Sequence, residues 1–370
     1  MMLLAYGADI FLVSNFELAN LSPRYRSTII SLYCGAYDSS AFTMVLVKLA
    51  YDSGIPVKAS FLVIAFLFTT TIISTFWFMP RHHVPFQPPR GYRLNFGCCN
   101  RTPSVLGMVV TERQLGRKEL ADEIGSVVRR DKGESFKTIA VSKLFLLDVL
   151  WLTCQRFQSF SFVGRLNPTL DRLANNDKGI VSSYLSVYGS LQFLGIFFAP
   201  LSGRLMDRKS RADVPSTLRE IERLEACMVS FFLDTTVGLL LALVASIPVL
   251  QLQYVAFLLH VIHRAFLYGP HSAFIAHVYN PKHFGKLFGL AMSCSAAFSV
   301  LQYPLFVLVR GSLGGDPFVF NMVVLILMLV SFVHPVYIWR HCRANRRAFR
   351  AELAATSLNG AATNFIQRES

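Results

Sequence analysis

Residues 58–80 read KASFLVIAFLFTTTIISTFWFMP, and this stretch decides the class of the fold. After Lys58 it contains no charged side chain. About 20 apolar residues in a helix are enough to cross the hydrocarbon core of a bilayer. A run this long and this uniformly apolar is typical of a helix that faces lipid. The stretch therefore predicts a transmembrane helix.

The same pattern repeats on both sides of this segment. It predicts seven further spans and a weaker one at 1–21, and most of them end at Pro, Gly or a basic cluster. The seven lie at about 27–51, 143–164, 180–203, 226–249, 252–279, 285–309 and 317–339. We therefore expect an all-α polytopic membrane protein with nine spans.

The composition excludes a water-soluble enzyme. Of the 370 residues, 53% are hydrophobic and only 16% are charged, and the mean hydropathy is +0.44. No nucleotide-binding P-loop, nucleophile elbow or H-E-x-x-H helix occurs. The net charge of +14 sits mainly between the apolar runs, which favours membrane orientation over nucleic-acid binding. The sequence predicts no enzyme activity, no cofactor and no nucleic-acid partner.

The basic residues predict the orientation. Of the 36 Lys and Arg, 28 fall in one alternating set of loops and five in the other. Cytoplasmic loops carry the excess of positive charge. The polar linker at 81–142 and the tail at 341–370 are therefore predicted to be cytoplasmic.

One polar stripe stands out in the span at 252–279. His260, His263, Arg264 and His271 share one side of the predicted helix, and Tyr268 lies beside them. Ionisable groups are costly in lipid and usually face a partner or a water-filled cavity. Three interpretations remain open: a cavity lining, a structural hydrogen-bond network, or a metal site.

Two other spans carry polar groups. Asp38 and Ser39 lie at mid-membrane, where the carboxylate needs a cation, either Arg264 or Arg156. In the span at 143–164, the face with Asp148, Trp151, Gln155 and Ser159 combines an indole with amide and hydroxyl groups. Such a face suits stacking of a flat polar ligand, although Asp148 alone is expected at the membrane interface.

The segment Gly203–Arg211, GRLMDRKSR, fits the pattern G-x-x-x-D-R-x-x-R. This pattern resembles the signature loop of the major facilitator superfamily, between the second and third helices of each six-helix half. A carboxylate at a helix end can pair across the cytoplasmic gate and hold it shut. The resemblance implies gating roles for Gly203, Asp207, Arg208 and Arg211.

Several separate motifs narrow the resemblance to solute carrier family 43. They are RSTIISLY at 26–33, GAYDSS at 35–40, RAFLYG at 264–269, HFGKLFGL at 283–290, QYP at 302–304 and GSLGGDP at 311–317. HFGKLFGL and His334-Pro335 look like the equilibrative nucleobase-transporting branch of that family. The resemblance implies sodium-independent facilitated diffusion of purine nucleobases, adenine, guanine and hypoxanthine, at the plasma membrane.

The family fold implied by the resemblance has twelve helices, and this chain would lack the first three. It divides the chain into a remnant of the N-terminal half at 1–80 (helices four to six), the linker at 81–142, a C-terminal six-helix half at 143–340 (helices seven to twelve) and the tail at 341–370. The expected substrate-binding residues are Asp38, Ser39, Gln155, Arg264, Tyr268 and Gln302.

Two alternatives remain beside nucleobase transport. One is a uniporter of large neutral amino acids, from the other branch of the same family. The second is a truncated membrane protein that does not transport and acts on a longer partner. The sequence does not indicate an oligomeric state.

The orientation makes a testable prediction about Asn100-Arg101-Thr102, which is a formal N-glycosylation sequon. Because the linker is predicted to be cytoplasmic, Asn100 should carry no glycan. Glycosidase treatment of the protein from human cells should leave its electrophoretic mobility unchanged. A mobility shift that is lost in Asn100→Gln would place the linker outside the cell and overturn the orientation.

Overall fold

The structure is a computed structural model that describes residues 7, 11–12, 14–22, 25–79, 135–207, 216–279, 283–312 and 316–369. Within these ranges the chain is helical and contains no β-strand, so the predicted all-α class is confirmed. Most of the predicted linker at 81–142 lies outside the described residues. Arg208 and Arg211 of the signature segment also lie outside them.

The described ranges form thirteen α-helices, which we number in chain order. They are α1 (Arg26–Ser39), α2 (Phe42–Asp52), α3 (Val57–Phe78), α4 (Phe136–Ala140), α5 (Lys143–Leu173), α6 (Lys178–Leu191), α7 (Gly195–Asp207), α8 (Ser216–Ser246), α9 (Gln253–Val278), α10 (Phe284–Ser299), α11 (Gln302–Arg310), α12 (Phe318–Ser331) and α13 (Val333–Glu369).

Helices cover eight of the nine predicted spans. In the described ranges, six helical stretches are long and apolar enough to cross a membrane: Arg26–Asp52, Val57–Trp77, Lys178–Asp207, Ile221–Ser246, Phe284–Arg310 and Phe318–Ala351. Helices α5 and α9 also have spanning length, but their polar residues set them apart from these six. The weak span at 1–21 lies partly outside the described residues and ends in a 3-10 helix, Phe16–Leu21.

The turn between α5 and α6 shows how local sequence sets the helix boundaries. Asn175 and Asn176 adopt φ values of 51° and 64°, in the left-handed region that Asn tolerates best after Gly. Asp177 then caps α6, since its Oδ1 accepts hydrogen bonds from the backbone N–H groups of Gly179 and Ile180. Two short polar residues thus end α5, and a third starts α6.

Two spans are interrupted, and their interruptions meet. Helix α1 ends beside Ser40, where α2 follows almost directly, and a 3-10 turn at Gln192–Leu194 separates α6 from α7. The Ser39 hydroxyl lies 3.2 Å from the carbonyl oxygen of Gln192, to which it donates. A broken helix in a membrane must have its free backbone groups satisfied by protein or water. Ser39 supplies that partner from the neighbouring span.

Helices α1 and α7 pack closely through small residues, and they join the segment before the linker to the segment after it. A Cβ added to Gly35 would lie 2.9 Å from the Gly195 carbonyl oxygen and in hard contact with Ala199. A Cβ on Gly203 would lie 2.6 Å from the Thr28 nitrogen. Small residues allow two helix backbones to approach in this way.

The outer surface is strongly apolar, as contact with lipid requires. Helix α3 exposes Leu62, Phe66 and Phe76 to 65%, 71% and 68%. A protein in water rarely exposes a contiguous apolar surface of this kind. The helix predicted from residues 58–80 therefore has the composition and the exposure of a membrane span.

The packing of α1 on α7 predicts a difference between two matched substitutions. Gly203→Ala places a methyl group against the Thr28 backbone, which cannot move aside, and should destabilise the protein by roughly 1–3 kcal/mol. Gly289→Ala, in α10, meets no atom within 4 Å and should be neutral or slightly stabilising. The thermal midpoints of the two purified variants in detergent test this, and equal midpoints would contradict the close approach.

Candidate functional site

From His263 onward, helix α9 is almost completely enclosed by its neighbours, with one opening. From His263 to Ala276 every residue is buried except Arg264 and Tyr268. Their spacing of four places both side chains on one side of the helix. In α5, which packs beside α9, Arg156 and Phe160 are likewise the only residues from Trp151 to Phe162 that are not buried. The partly exposed side chains of these two stretches are thus two arginines and two aromatic rings, and we call this group of four the opening.

Arg264 forms an ion pair with Asp38 of α1. Its Nε donates a hydrogen bond of 2.6 Å to the Asp38 Oδ1 atom. The Asp38 side chain is 3% exposed and that of Arg264 is 24% exposed. Of the two cations proposed from the sequence as partners of Asp38, the structure selects Arg264. The pair joins the segment before the linker to the one after it.

Arg156 and the two aromatic rings lie next to this pair. The Arg156 guanidinium carbon is 5.9 Å from the centre of the Tyr268 ring and 5.1 Å from that of Phe160. A cation within about 6 Å of a ring centre is attracted by the ring quadrupole. Tyr268 therefore borders Arg156, and it lies within electrostatic range of Arg264. Phe160 is a site residue that the sequence interpretation missed, although its spacing of four from Arg156 was available.

The three histidines are fully buried, and they belong to a structural network rather than to a cavity lining. His263 Nδ1 lies 2.9 Å from Asp234 Oδ1 of α8, and its other nitrogen faces the Gln155 carbonyl oxygen at 3.4 Å. His260 lies between the hydroxyl groups of Ser159 and Tyr188, each 3.1 Å from one ring nitrogen.

His271 completes this set from the other end of α9. Its Nδ1 lies 3.0 Å from Asp148 Oδ2, close enough for an ion pair but without hydrogen-bond alignment. Asp148 is fully buried between the helices, so its carboxylate is enclosed by protein, while its depth in the membrane stays a prediction. In the part of the chain that the structure describes, no cluster of three or more potential metal ligands occurs.

Gln155 lies behind the opening and does not line it. It is fully buried, and its amide nitrogen donates to Thr235 at 3.1 Å and to Ser331 at 3.3 Å. Trp151 donates its indole N–H to the same Thr235 hydroxyl at 2.9 Å and is also fully buried. In this conformation the indole therefore packs on the Phe231 ring, 4.5 Å away between ring centres, and stacking on a ligand stays a prediction.

The other two predicted substrate-binding residues lie apart from Arg264. Ser39 follows Asp38 but turns its hydroxyl toward the broken span at Gln192. Gln302, at the start of α11, is half-buried beside Gly164 of α5, and its side-chain oxygen has no hydrogen-bond partner among the described residues. The structure brings Asp38, Arg264 and Tyr268 together and leaves Ser39, Gln155 and Gln302 around them.

Asp207 of the signature segment caps the start of α1. Its Oδ2 accepts hydrogen bonds from the Thr28 backbone N–H at 2.9 Å and from the Thr28 hydroxyl at 2.7 Å, and its Oδ1 accepts from the Ser27 N–H at 3.3 Å. A carboxylate at a helix N-terminus satisfies free N–H groups and complements the helix dipole. Gly203, one turn earlier, gives α7 the space to approach Thr28.

A contact that the sequence did not predict joins α2 and α6, at the far end of the spans α1–α2 and α6–α7 from Asp207. Lys48 of α2 donates to the Ser182 and Ser186 hydroxyls of α6 at 2.8 and 2.6 Å. These residues border a largely apolar cavity of about 560 Å³ between α2 and α6. The signals for this contact in the sequence were a lysine inside a predicted span and two serines at a spacing of four.

The Arg264–Asp38 pair predicts a non-additive effect on stability. Asp38→Asn or Arg264→Gln alone leaves a charge without its partner and should cost about 3–5 kcal/mol, while the double variant should cost less than the sum. Asp171→Asn is the matched control, because its partner Lys178 is 78% exposed and the loss should stay within about 1 kcal/mol. Thermal midpoints in detergent measure this, and additive losses would contradict the pairing.

Comparison with known proteins gives the chain its family. Equilibrative nucleobase transporter 1 of Bos taurus is 37% identical over 354 residues, which cover 93% of this chain and 72% of the relative. Large neutral amino acids transporter small subunit 3 is 25% identical, over 403 residues in Mus musculus and 411 in Homo sapiens. These alignments cover 92% and 95% of this chain and 71% and 72% of the relatives.

No protein-family model matches the chain, and no solved structure matches it. The relatives named above are transporters rather than enzymes, and several helices here have membrane length and composition. The chain is therefore an integral membrane protein of the transporter kind, with a small-molecule substrate. It belongs to solute carrier family 43, together with the nucleobase transporter and the large neutral amino acid transporters.

Proposed function

We propose that this chain is a facilitator that carries purine nucleobases, namely adenine, guanine and hypoxanthine, across the plasma membrane by alternating access and without sodium. The greater identity to the bovine nucleobase transporter, 37% against 25% for the amino acid transporters, supports this substrate class. The groups around Arg264 support it independently.

The observation that carries the proposal is that the three buried aspartates of the described spans are already paired with basic side chains. Asp38, Asp148 and Asp234 each lie within 3.0 Å of a basic side chain, at 2.6, 3.0 and 2.9 Å. A free carboxylate is the strongest acceptor for the ammonium group of a zwitterionic amino acid, because an unpaired charge is costly away from water. An uncharged purine needs none. The described spans therefore suit a neutral, planar substrate better than a zwitterion.

The opening beside Arg264 offers what a purine requires. Tyr268 presents an aromatic face for stacking, and Arg264 remains partly accessible while Asp38 holds it. Gln155 is assigned a positioning role, because it supports α9 through the His263 contact. Gln302 and Ser39 are assigned to the walls of the pathway, where they become available when the helices move.

Alternating access requires contacts that open in turn at the two ends of α1–α2 and α6–α7. With the linker and tail in the cytoplasm, Asp207 and Gly203 close the cytoplasmic end against Thr28, and Arg208 and Arg211 belong to the same gate. Lys48 closes the outer end against Ser182 and Ser186. Movement of one half against the other then exposes the Arg264 region to each side.

Uptake in cells that lack their own nucleobase transport tests the proposal. Radiolabelled adenine should enter faster than in vector controls, and unlabelled hypoxanthine or guanine should compete, while leucine should not. Replacing sodium with choline should leave the rate unchanged. Arg264→Ala, compared at equal surface expression, should lower uptake roughly tenfold or more, because it leaves Asp38 unpaired at the site.

Two outcomes would contradict the proposal. Leucine uptake that excess adenine does not inhibit would assign the chain to the amino acid branch. Surface expression without any purine flux, together with altered flux when a longer family member is co-expressed, would assign it a non-transporting role.

A further inference from the structure

Arg156 and Arg264 donate hydrogen bonds from different nitrogens of the guanidinium group. Every hydrogen bond that Arg156 makes with a described residue comes from one nitrogen, Nη1, which donates to Ser295 Oγ at 3.1 Å and to the Met292 carbonyl oxygen at 3.4 Å. The same atom lies 3.0 Å from the Met292 sulfur. The contacts with α10 therefore hold one end of the guanidinium.

The remaining edge of the Arg156 guanidinium is unused. Nε is buried without a hydrogen-bond partner, and Nη2 donates to no residue of the described ranges. Nε and Nη2 point the same way, so they form a fork that can donate two parallel hydrogen bonds. In Arg264 the corresponding Nε–Nη2 edge is already engaged, because its Nε is bonded to Asp38.

The surroundings of this fork limit what can bind it. No described carboxylate pairs with Arg156, since Asp38, Asp148 and Asp234 are each held by another basic residue. The rings of Phe160 and Tyr268 lie within 6 Å of its guanidinium carbon. The fork therefore suits a ligand that is flat and aromatic and that carries two hydrogen-bond acceptors on one edge.

We propose that Arg156 is the specificity-determining residue for 6-oxopurines, with its Nε–Nη2 edge donating to O6 and N7 of hypoxanthine or guanine while Tyr268 or Phe160 stacks on the ring. Arginine reads the same two acceptors of guanine in nucleic acids. Adenine carries an amino group at C6 instead of O6. This group is a hydrogen-bond donor, so it would face a donor of the fork and could not accept from it. This inference rests on the proposed nucleobase transport and adds the basis of its selectivity.

The experiment compares hypoxanthine with adenine, which differ in the group at C6 and the accompanying ring protonation. In cells expressing the chain, the ratio of hypoxanthine to adenine uptake is measured for wild type, Arg156→Gln and Arg156→Lys at equal surface expression. We expect Arg156→Gln to lower the ratio roughly 10-fold or more, as loss of a bidentate base contact does. Arg156→Lys keeps the charge but not the fork, so it should also lower the ratio.

A second readout tests the N7 contact and a matched arginine supplies the control. 7-Deazahypoxanthine, which lacks the N7 acceptor, should compete more weakly than hypoxanthine against wild type, and this difference should shrink in Arg156→Gln. Arg165→Gln makes the same change in the same helix, at a side chain whose Nη1 bonds Asn321 at 2.6 Å. It should leave the uptake ratio unchanged even where expression falls.

The outcomes separate this inference from the proposed function. Purine uptake by wild type with an unchanged ratio in both Arg156 variants would overturn the role of Arg156 and leave nucleobase transport standing. Absence of purine uptake by wild type would overturn both. A ratio that falls in Arg156→Gln but stays at the wild-type value in Arg156→Lys would show that charge alone acts, and would overturn the fork geometry.

Discussion

The ion pair between Arg264 and Asp38 constrains the rest of the arrangement. A charged side chain between membrane helices is costly unless a partner reaches it, so α9 must lie against α1. That approach requires small residues: a Cβ on Gly269 would lie 3.0 Å from the Ser202 hydroxyl of α7 and in hard contact with Ser31. One electrostatic requirement thus brings three helices together and joins the segments on the two sides of the linker.

The histidines of α9 are buried against neighbouring helices, whereas Arg264 and Tyr268 are partly exposed. His260, His263 and His271 turn inward and hold α9 to its neighbours α5, α6 and α8. Arg264 and Tyr268 are left on the open side. Fixing a helix by buried polar contacts keeps its open side chains in place, as a binding site requires. In the proposed site, the histidines would therefore contribute to recognition by holding α9 in position rather than by contacting the substrate.

Long apolar runs predicted the membrane spans well, because an uncharged apolar helix of about 20 residues is rarely found outside a membrane. Helical periodicity then related the polar residues within one span. It placed the histidines and Arg264 in one stripe, but it could not decide which part of the stripe is buried. At about 100° per residue, Arg264 and Tyr268 lie about 40° and 80° round the helix from His260, while His263 lies about 60° the other way. Only the packing of the neighbouring helices decides which of these positions is buried. The aspartates that pair with the stripe lie on those helices, so the periodicity of α9 alone could not identify them.

The contacts between α1–α2 and α6–α7 are of a kind that can open. They pair residue 28 with 207, 39 with 192 and 48 with 182, and each is a hydrogen bond. Exchanging such a hydrogen bond for one with water changes the free energy by about 0.5–1.5 kcal/mol between neutral groups, as for Ser39, and by about 1.5–3 kcal/mol where Asp207 or Lys48 supplies a charge. Separating Arg264 from Asp38 costs more, because both charges then need new partners. In the proposed alternating access, movement would therefore be easiest where the hydrogen bonds at one end open while the Arg264–Asp38 pair stays closed as the pivot.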